Sequence, residues 1–222
     1  IPLCSKANPY SRGDGLVAAQ ALGAVADGAE KFLCTFAGYL ERPDDPRSGD
    51  FLLLSPLVRK PWEIFVNADG RRFMQEDHPS VDYRERALLR QKGLRMFAIL
   101  DHAILQNAGP MTLDALPDYQ VRFGRHPGFV AAKTLAALAR QLGLPAANLR
   151  RTVDDYNRAV DAQLDRKWGR QFLIRRIERG PFYGVRAQAF TVISPVGLKV
   201  DRQLRVIGQG GRRVPMLRIL QT

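Results

Sequence analysis

The spacing of apolar residues changes along this chain, and that change constrains the fold more than any single motif. In the first half the apolar runs are short. Lys31 to Phe36 and Met96 to Leu100 read as strands, and Glu63 to Asn67 with Arg72 to Gln75 reads as a hairpin closed by Asp69-Gly70, a pair suited to a tight turn. In the middle the spacing turns helical. Phe129, Val130, Leu135, Leu138 and Leu142 form one apolar face with Gly143 and Pro145 as stop signals, and Leu149, Val153, Tyr156, Val160 and Leu164 form a second behind Asn148 as its cap. From Phe182 onward the runs are strand-like again: Tyr183 to Arg186, Gly197 to Asp201, and Arg205 to Ile207 joined through Gly208-Gln209-Gly210-Gly211 to Arg212-Arg213-Val214. Two further helices are expected, one over Leu16 to Gly23 capped by Asp14, the other starting at His78-Pro79-Ser80 with Asp82 in its first turn and Gly93 at its end. The stretch Glu41 to Gly49 is rich in Pro, Asp and Arg and reads as a loop. Strands at both ends and helices grouped between them give an α+β fold.

Charge and cysteine content narrow the function classes. The 222 residues carry a formal net charge of +12, but the arginines are scattered (Arg42, Arg59, Arg95, Arg122, Arg140, Arg186) apart from doublets such as Arg71-Arg72 and Arg150-Arg151. Scattered arginine reads as solvated surface, whereas a nucleic-acid face needs its cations gathered on one side. Cys4 and Cys34 lie in no CxxC or Cys/His pattern, so both read as reduced, packed thiols. Phe51 to Val58, broken by Ser55 and Pro56, is far short of a bilayer span, so the chain reads as soluble and cytoplasmic. His78, His102 and His126 share no metal-ligand spacing and read as cap or loop residues. Gly13-x-Gly15-x-x-Ala18 lacks the apolar strand that must precede a dinucleotide fingerprint. It reads instead as a helix start whose free N–H groups can face a phosphate. Asp77, Asp82, Tyr83, Arg84, Glu85 and Arg86 are the densest group of chemically able side chains, although pairs such as Asp82 with Arg86 also suit a charged helix face.

Four segments in order carry a resemblance. Ser11 to Gly15 with Leu22-Gly23-Ala24, then Ile64 to Asp77, then Thr152-Val153-Asp154-Asp155-Tyr156-Asn157, then Pro181 to Val185 with Gly197 to Asp201, together resemble the fumarate reductase and ketosteroid dehydrogenase flavoproteins. The resemblance implies a flavoprotein capping domain inserted in a remnant of a Rossmann-like FAD-binding domain. On that basis residues 1–36 belong to the FAD-binding domain, 37–184 form the substrate-capping domain, and 185–222 return into the FAD-binding domain. It implies FAD as cofactor in the intact protein, with Gly13, Asp14 and Gly15 at the flavin. The implied chemistry is hydride and proton transfer at a carbon–carbon bond next to a carbonyl of a small-molecule substrate. Thr35, Ser80, Asp82, Ser194 and Gly197 are then expected around the substrate, with Arg84 or Tyr83 placing or relaying a proton, and no metal, nucleic acid or membrane is implied.

The departures from the family pattern also shape the expectation. No glycine-rich strand–helix unit is present, and Val214 to Leu220 loses the Ala-Gly-Glu of the family, so the reading is of a chain truncated at both ends whose missing FAD-domain segment acts as a partner. FAD binding by these residues alone is expected to be weak. The family's two histidines fall near Thr35 and near Val192 or Ile193, and its proton-donor arginine near Ser80 or Val81, which argues against fumarate as substrate. The rival readings are a non-enzymatic basic binding module, which would need its arginines on one face, and an inactive remnant.

Overall fold

The computed structural model describes residues 4–29 and 34–218. In chain order the elements are β1 (Cys4–Ser5), α1 (Asp14–Ala21), β2 (Ala26–Asp27), β3 (Thr35–Leu40), β4 (Gly49–Phe51), β5 (Ile64–Val66), α2 (Val81–Leu89), β6 (Arg95–Asp101), α3 (His102–Asn107), α4 (Leu116–Arg122), β7 (Phe129–Ala132), α5 (Leu135–Leu142), α6 (Ala146–Asp161), β8 (Phe182–Thr191), β9 (Gly197–Leu198), β10 (Arg205–Ile207) and β11 (Arg213–Arg218). The described residues form two compact units: 4–6 with 34–190, and 7–29 with 191–218.

The larger unit is built around β8, where seven of the ten residues are buried and Arg186 alone is exposed. Its sheet runs β4-β3-β8-β6-β5, with β1 and β7 also pairing with β8. All register-defined pairings in the sheet are antiparallel. Along β8, β7 pairs with Phe182 to Val185, β3 takes over at Gln188, and β6 pairs with the whole stretch from Phe182 to Gln188. Because β8 is continuous, residues 185–190 lie in this unit, and so do Thr35 and Phe36 of β3.

α6 presents Leu149, Val153, Tyr156 and Val160 to the core at helical spacing, and α5 presents Leu138, Ala139 and Leu142. Two expectations at these helices are corrected. Phe129 to Ala132 is the strand β7 rather than the first turn of a helix, because its N–H and C=O groups find partners on β8 while Thr134 Oγ1 accepts from Ala137 N–H and caps α5. Asn148 lies inside α6, and its amide donates to the Asp69 carbonyl instead of capping the helix; Leu164 falls beyond the helix and is exposed.

The Asp69-Gly70 turn forms as expected, with Gly70 at φ +70° and its N–H donating to the Asn67 carbonyl. Its return arm makes no strand. β5 pairs with β6, and on its other side Phe65 N–H donates to the Glu76 carboxylate at 3.4 Å, leaving only a single bridge between Val66 and Arg72. α2 begins at Val81 rather than at Pro79, since Ser80 Oγ accepts from Tyr83 N–H and caps it.

The smaller unit packs α1 on two short antiparallel pairs, β2 with β9 and β10 with β11, around Ala19, Ala24, Val206 and Val214. Here the strand expected over Gly197 to Asp201 stops at Leu198, and Val200 keeps one bridge to Val206.

Candidate functional site

Four of the residues expected at a substrate site gather in the larger unit. Thr35 opens β3, against which α2 packs; Ser80, Tyr83 and Arg84 lie at the start of α2. Arg84 is 2% exposed. Its guanidinium donates to the His78 carbonyl at 2.7 Å, to that of Pro79 at 3.4 Å and to Ser55 Oγ at 3.5 Å, and it lies 5.8 Å from the Phe36 ring centroid. Its Nε has no partner among the described residues, and burial makes its charged form less favourable than usual, opposed only by Glu85. Tyr83 stacks on His78 at 4.0 Å, and its hydroxyl accepts from Gln75 N–H at 3.1 Å, leaving the phenolic proton uncommitted in that bond. Asp82 points elsewhere and forms an exposed ion pair with Arg86. Cys34, free and buried beside this cluster, donates to the Glu85 carbonyl at 3.8 Å; burial, then Glu85, push its thiol up to about 11, so it stays protonated. The Cys4 side chain lies outside the described residues.

The other expected site residues belong to the smaller unit. Gly13, Asp14 and Gly15 start α1, with no side chain capping the helix. A Cβ at Gly13 or Gly15 would meet nothing within 4 Å. Uncapped first-turn N–H groups beside two glycines leave room for a ligand oxygen, so these residues fit a contact with part of FAD. Ser194 Oγ accepts from Val196 N–H in the loop that packs against Gly28, and Gly197 pairs with Asp27.

Several residues of the recognition motifs do structural work that spacing did not reveal. Arg72 donates through Nε and Nη2 to Glu76 and through Nη2 to Asp165 at 2.7 Å. Arg170, 1% exposed, donates to the carbonyls of Glu63, Pro61 and Phe172 and lies 3.6 Å from Glu76. Both guanidinium groups lie over the Tyr156 ring, and Arg59 holds buried Glu63 through two bonds of 2.8 Å. Thr152 Oγ1 donates to the Gly70 carbonyl, Tyr156 to that of Arg175, and Asn157 exchanges two bonds with Ile177. Arg59, Arg72, Arg84 and Arg170 therefore correct the reading of arginine as uniformly solvated surface: their charges are buried on carboxylates or carbonyls. No group of His, Cys, Asp and Glu among the described residues could hold a metal ion, and no described helix is long and apolar enough to cross a membrane.

The family model for the FAD binding domain matches residues 5–218. The chain belongs to this FAD-binding family. It is 34% identical over 168 residues to an NADH:acrylate oxidoreductase of Vibrio harveyi, covering 75% of the chain and 16% of that protein. It is 26% identical to a probable fumarate reductase of Shewanella frigidimarina, covering 83% of the chain and 28% of that protein. Among solved structures, the 3-ketosteroid delta1-dehydrogenase of Sterolibacterium denitrificans superposes with a TM-score of 0.72 at 22% identity, covering 95% of the chain and 41% of its own. A flavocytochrome c3 fumarate reductase in its open conformation gives 0.66 at 23% identity, covering 96% and 34%. The chain thus spans less than half the length of each of these proteins. Family members are FAD-dependent oxidoreductases, in line with the resemblance, and FAD is the cofactor of the intact protein.

Proposed function

We propose that the whole protein is a FAD-dependent oxidoreductase acting on a carbon–carbon bond next to a carbonyl, and that the larger unit of this chain is its substrate-capping domain. The observation that carries the reading is the set of bonds around Arg84, which ties Ser55 and the His78–Ser80 segment to one buried guanidinium beside β3. Bound FAD would supply the hydride chemistry, and Gly13, Asp14 and Gly15 are the residues of this chain proposed to hold part of it. We read Arg84 as a positioning residue, because its donors go to backbone carbonyls and a hydroxyl. Tyr83 is then the better candidate to move a proton to the substrate carbon next to the carbonyl. Thr35 and Ser80, both in the larger unit, are proposed substrate contacts. The acrylate-reducing relative favours an unsaturated monocarboxylate or enone over a dicarboxylate, as does the absence of the family's two histidines and donor arginine.

The test uses the full-length protein loaded with FAD and reduced without oxygen. Acrylate or cyclohexenone should reoxidise the flavin, fumarate should not at a useful rate, and Tyr83→Phe should lower kcat by about a hundredfold with little change in KM. Fast reoxidation by fumarate, or none by any activated alkene, would overturn the proposal.

A further inference from the structure

A second concave site lies in the larger unit, away from Arg84 and Ser80, where two strands that share one edge of β8 both stop. β7 pairs with β8 only as far as Val185, and β3 pairs from Gln188 onward. The interval holds a groove of about 540 Å³ bounded by Tyr39 and Leu40 of β3, Pro127 and Gly128 before β7, and Leu142 to Leu144 at the end of α5. Its floor comes from β6 and β8. Arg95 pairs with Gln188 and Phe97 with Arg186, so these four side chains alternate onto one face of the sheet, and the two arginines are diagonal neighbours.

The charge of this groove is one-sided. Among its lining residues there is no carboxylate, and neither arginine has an ion-pair partner among the described residues. Glu41, bonded to the Tyr39 hydroxyl, is engaged by Arg122 and His126. Two like charges on neighbouring strands normally cost stability. Arg186 has a structural reason for its place, since its guanidinium donates to the Gln141 and Leu142 carbonyls at the end of α5, where a cation suits the helix dipole. That bond holds the guanidinium still while leaving other N–H donors unused. Arg95 has no such reason: it is exposed, and its side chain makes no hydrogen bond to any of the described residues. Burial, then the charge of Arg95, push Arg186 below the usual arginine range, consistent with two cations facing one space. The remaining wall is apolar, with Phe97, Leu142 and Leu144 all buried.

We propose that this groove binds a small molecule with an apolar body and a single oxyanion head, the head held between Arg95 and Arg186 and the body against Phe97, Leu142 and Leu144. Carboxylate and phosphate heads share the chemistry a guanidinium recognises. The experiment titrates the 222-residue chain at low ionic strength with sodium octanoate and with octyl phosphate, followed by calorimetry and by chemical shifts of the Leu methyl groups. Octan-1-ol supplies the body without charge, and acetate the charge without body. Saturable binding of either amphiphile is expected, with shifts at Leu142 and Leu144 and about tenfold weaker binding in Arg95→Gln. The exposed control Arg151→Gln should bind as the parent does. Octanoate alone would mark a carboxylate ligand and octyl phosphate alone a phosphate. Absence of binding by both, equal saturation by octan-1-ol, saturation by acetate, or titrations unchanged by Arg95→Gln would overturn the proposal. None of these readouts depends on FAD or on turnover.

Discussion

Arg84 carries its charge into the core with no ion-pair partner among the described residues, and that sets it apart from Arg59 and Arg72, each bonded to a buried carboxylate. Its hydrogen bonds to the His78 and Pro79 carbonyls offset the desolvation cost only in part, since the Nε has no partner. Both of those carbonyl residues reach solvent, so water can replace the guanidinium. Arg84→Met should therefore change unfolding free energy by only about 1–2 kcal/mol, while Arg170→Met, which strands the Glu63 and Pro61 carbonyls, should cost more. Urea denaturation of the two variants checks this, and equal losses would show that Arg84 is as deeply committed to the fold as Arg170. Asp77 gives a pH-dependent counterpart. Burial opposes its ionisation, but the N–H groups of Phe172 and Gln171 at 2.8 and 2.7 Å and the Gln75 amide outweigh that and hold its pKa below the usual range. A depressed folded pKa contributes stability above the unfolded value of about 4, and that stability is lost as pH falls through the folded value. The melting temperature should drop on acidification below about pH 4, and Asp77→Asn should flatten that drop while lowering stability at neutral pH. An Asp77→Asn profile parallel to the parent's would place the acid sensitivity elsewhere.

At the level of elements, the sheet tolerates little change where strands approach closely. A Cβ at Gly38 would lie 2.7 Å from the Asp50 carbonyl oxygen, a backbone atom held in the β3–β4 ladder, and 3.0 Å from the Phe190 ring. Neither neighbour is the loose end of a flexible chain, so Gly38→Ala should cost about 1–3 kcal/mol; a melting temperature unchanged from the parent would contradict so close an approach of β3 to Asp50. Such contacts are illegible in sequence because they join residues far apart in the chain. What was legible followed local rules: α6 from the spacing of Leu149, Val153, Tyr156 and Val160, the turn from Asp69-Gly70, and β6 from the run Met96 to Leu100. The misreadings have a common cause in tertiary pairing. Phe129 and Val130 suit either helix or strand spacing, and only β8 decides between them. The return arm of the hairpin has strand-like residues, yet Arg72 and Glu76 are drawn into an ion pair that includes Asp165, ninety-three positions along from Arg72.

At the scale of the whole molecule, the motifs that identified the family turn out to be largely its packing code. Arg72 and Glu76 of one motif, and Thr152, Tyr156 and Asn157 of another, bind each other's segments and the chain that follows α6. That explains why family membership was readable while the reacting groups were not: a buried network ties residue types to one another, whereas a function is set by the few groups of a site, which packing does not specify. The same division governs cofactor binding. The principal grip on a dinucleotide is a glycine-rich turn after a strand, with the helix N-terminus cradling the pyrophosphate. No such unit occurs in these 222 residues. What they offer is the uncapped start of the eight-residue α1, with open space at Gly13 and Gly15, on a unit whose buried apolar core is Ala19, Ala24, Val206 and Val214. A contact of that kind contributes too little to offset the freedom lost when so large a ligand is immobilised. The 222 residues expressed by themselves should therefore purify colourless and release added FAD on gel filtration, whereas the full-length protein should retain it. The visible spectrum before and after the column is the measurement, and a yellow, stoichiometric 222-residue chain would mean that α1 and its neighbours hold FAD without the glycine-rich unit.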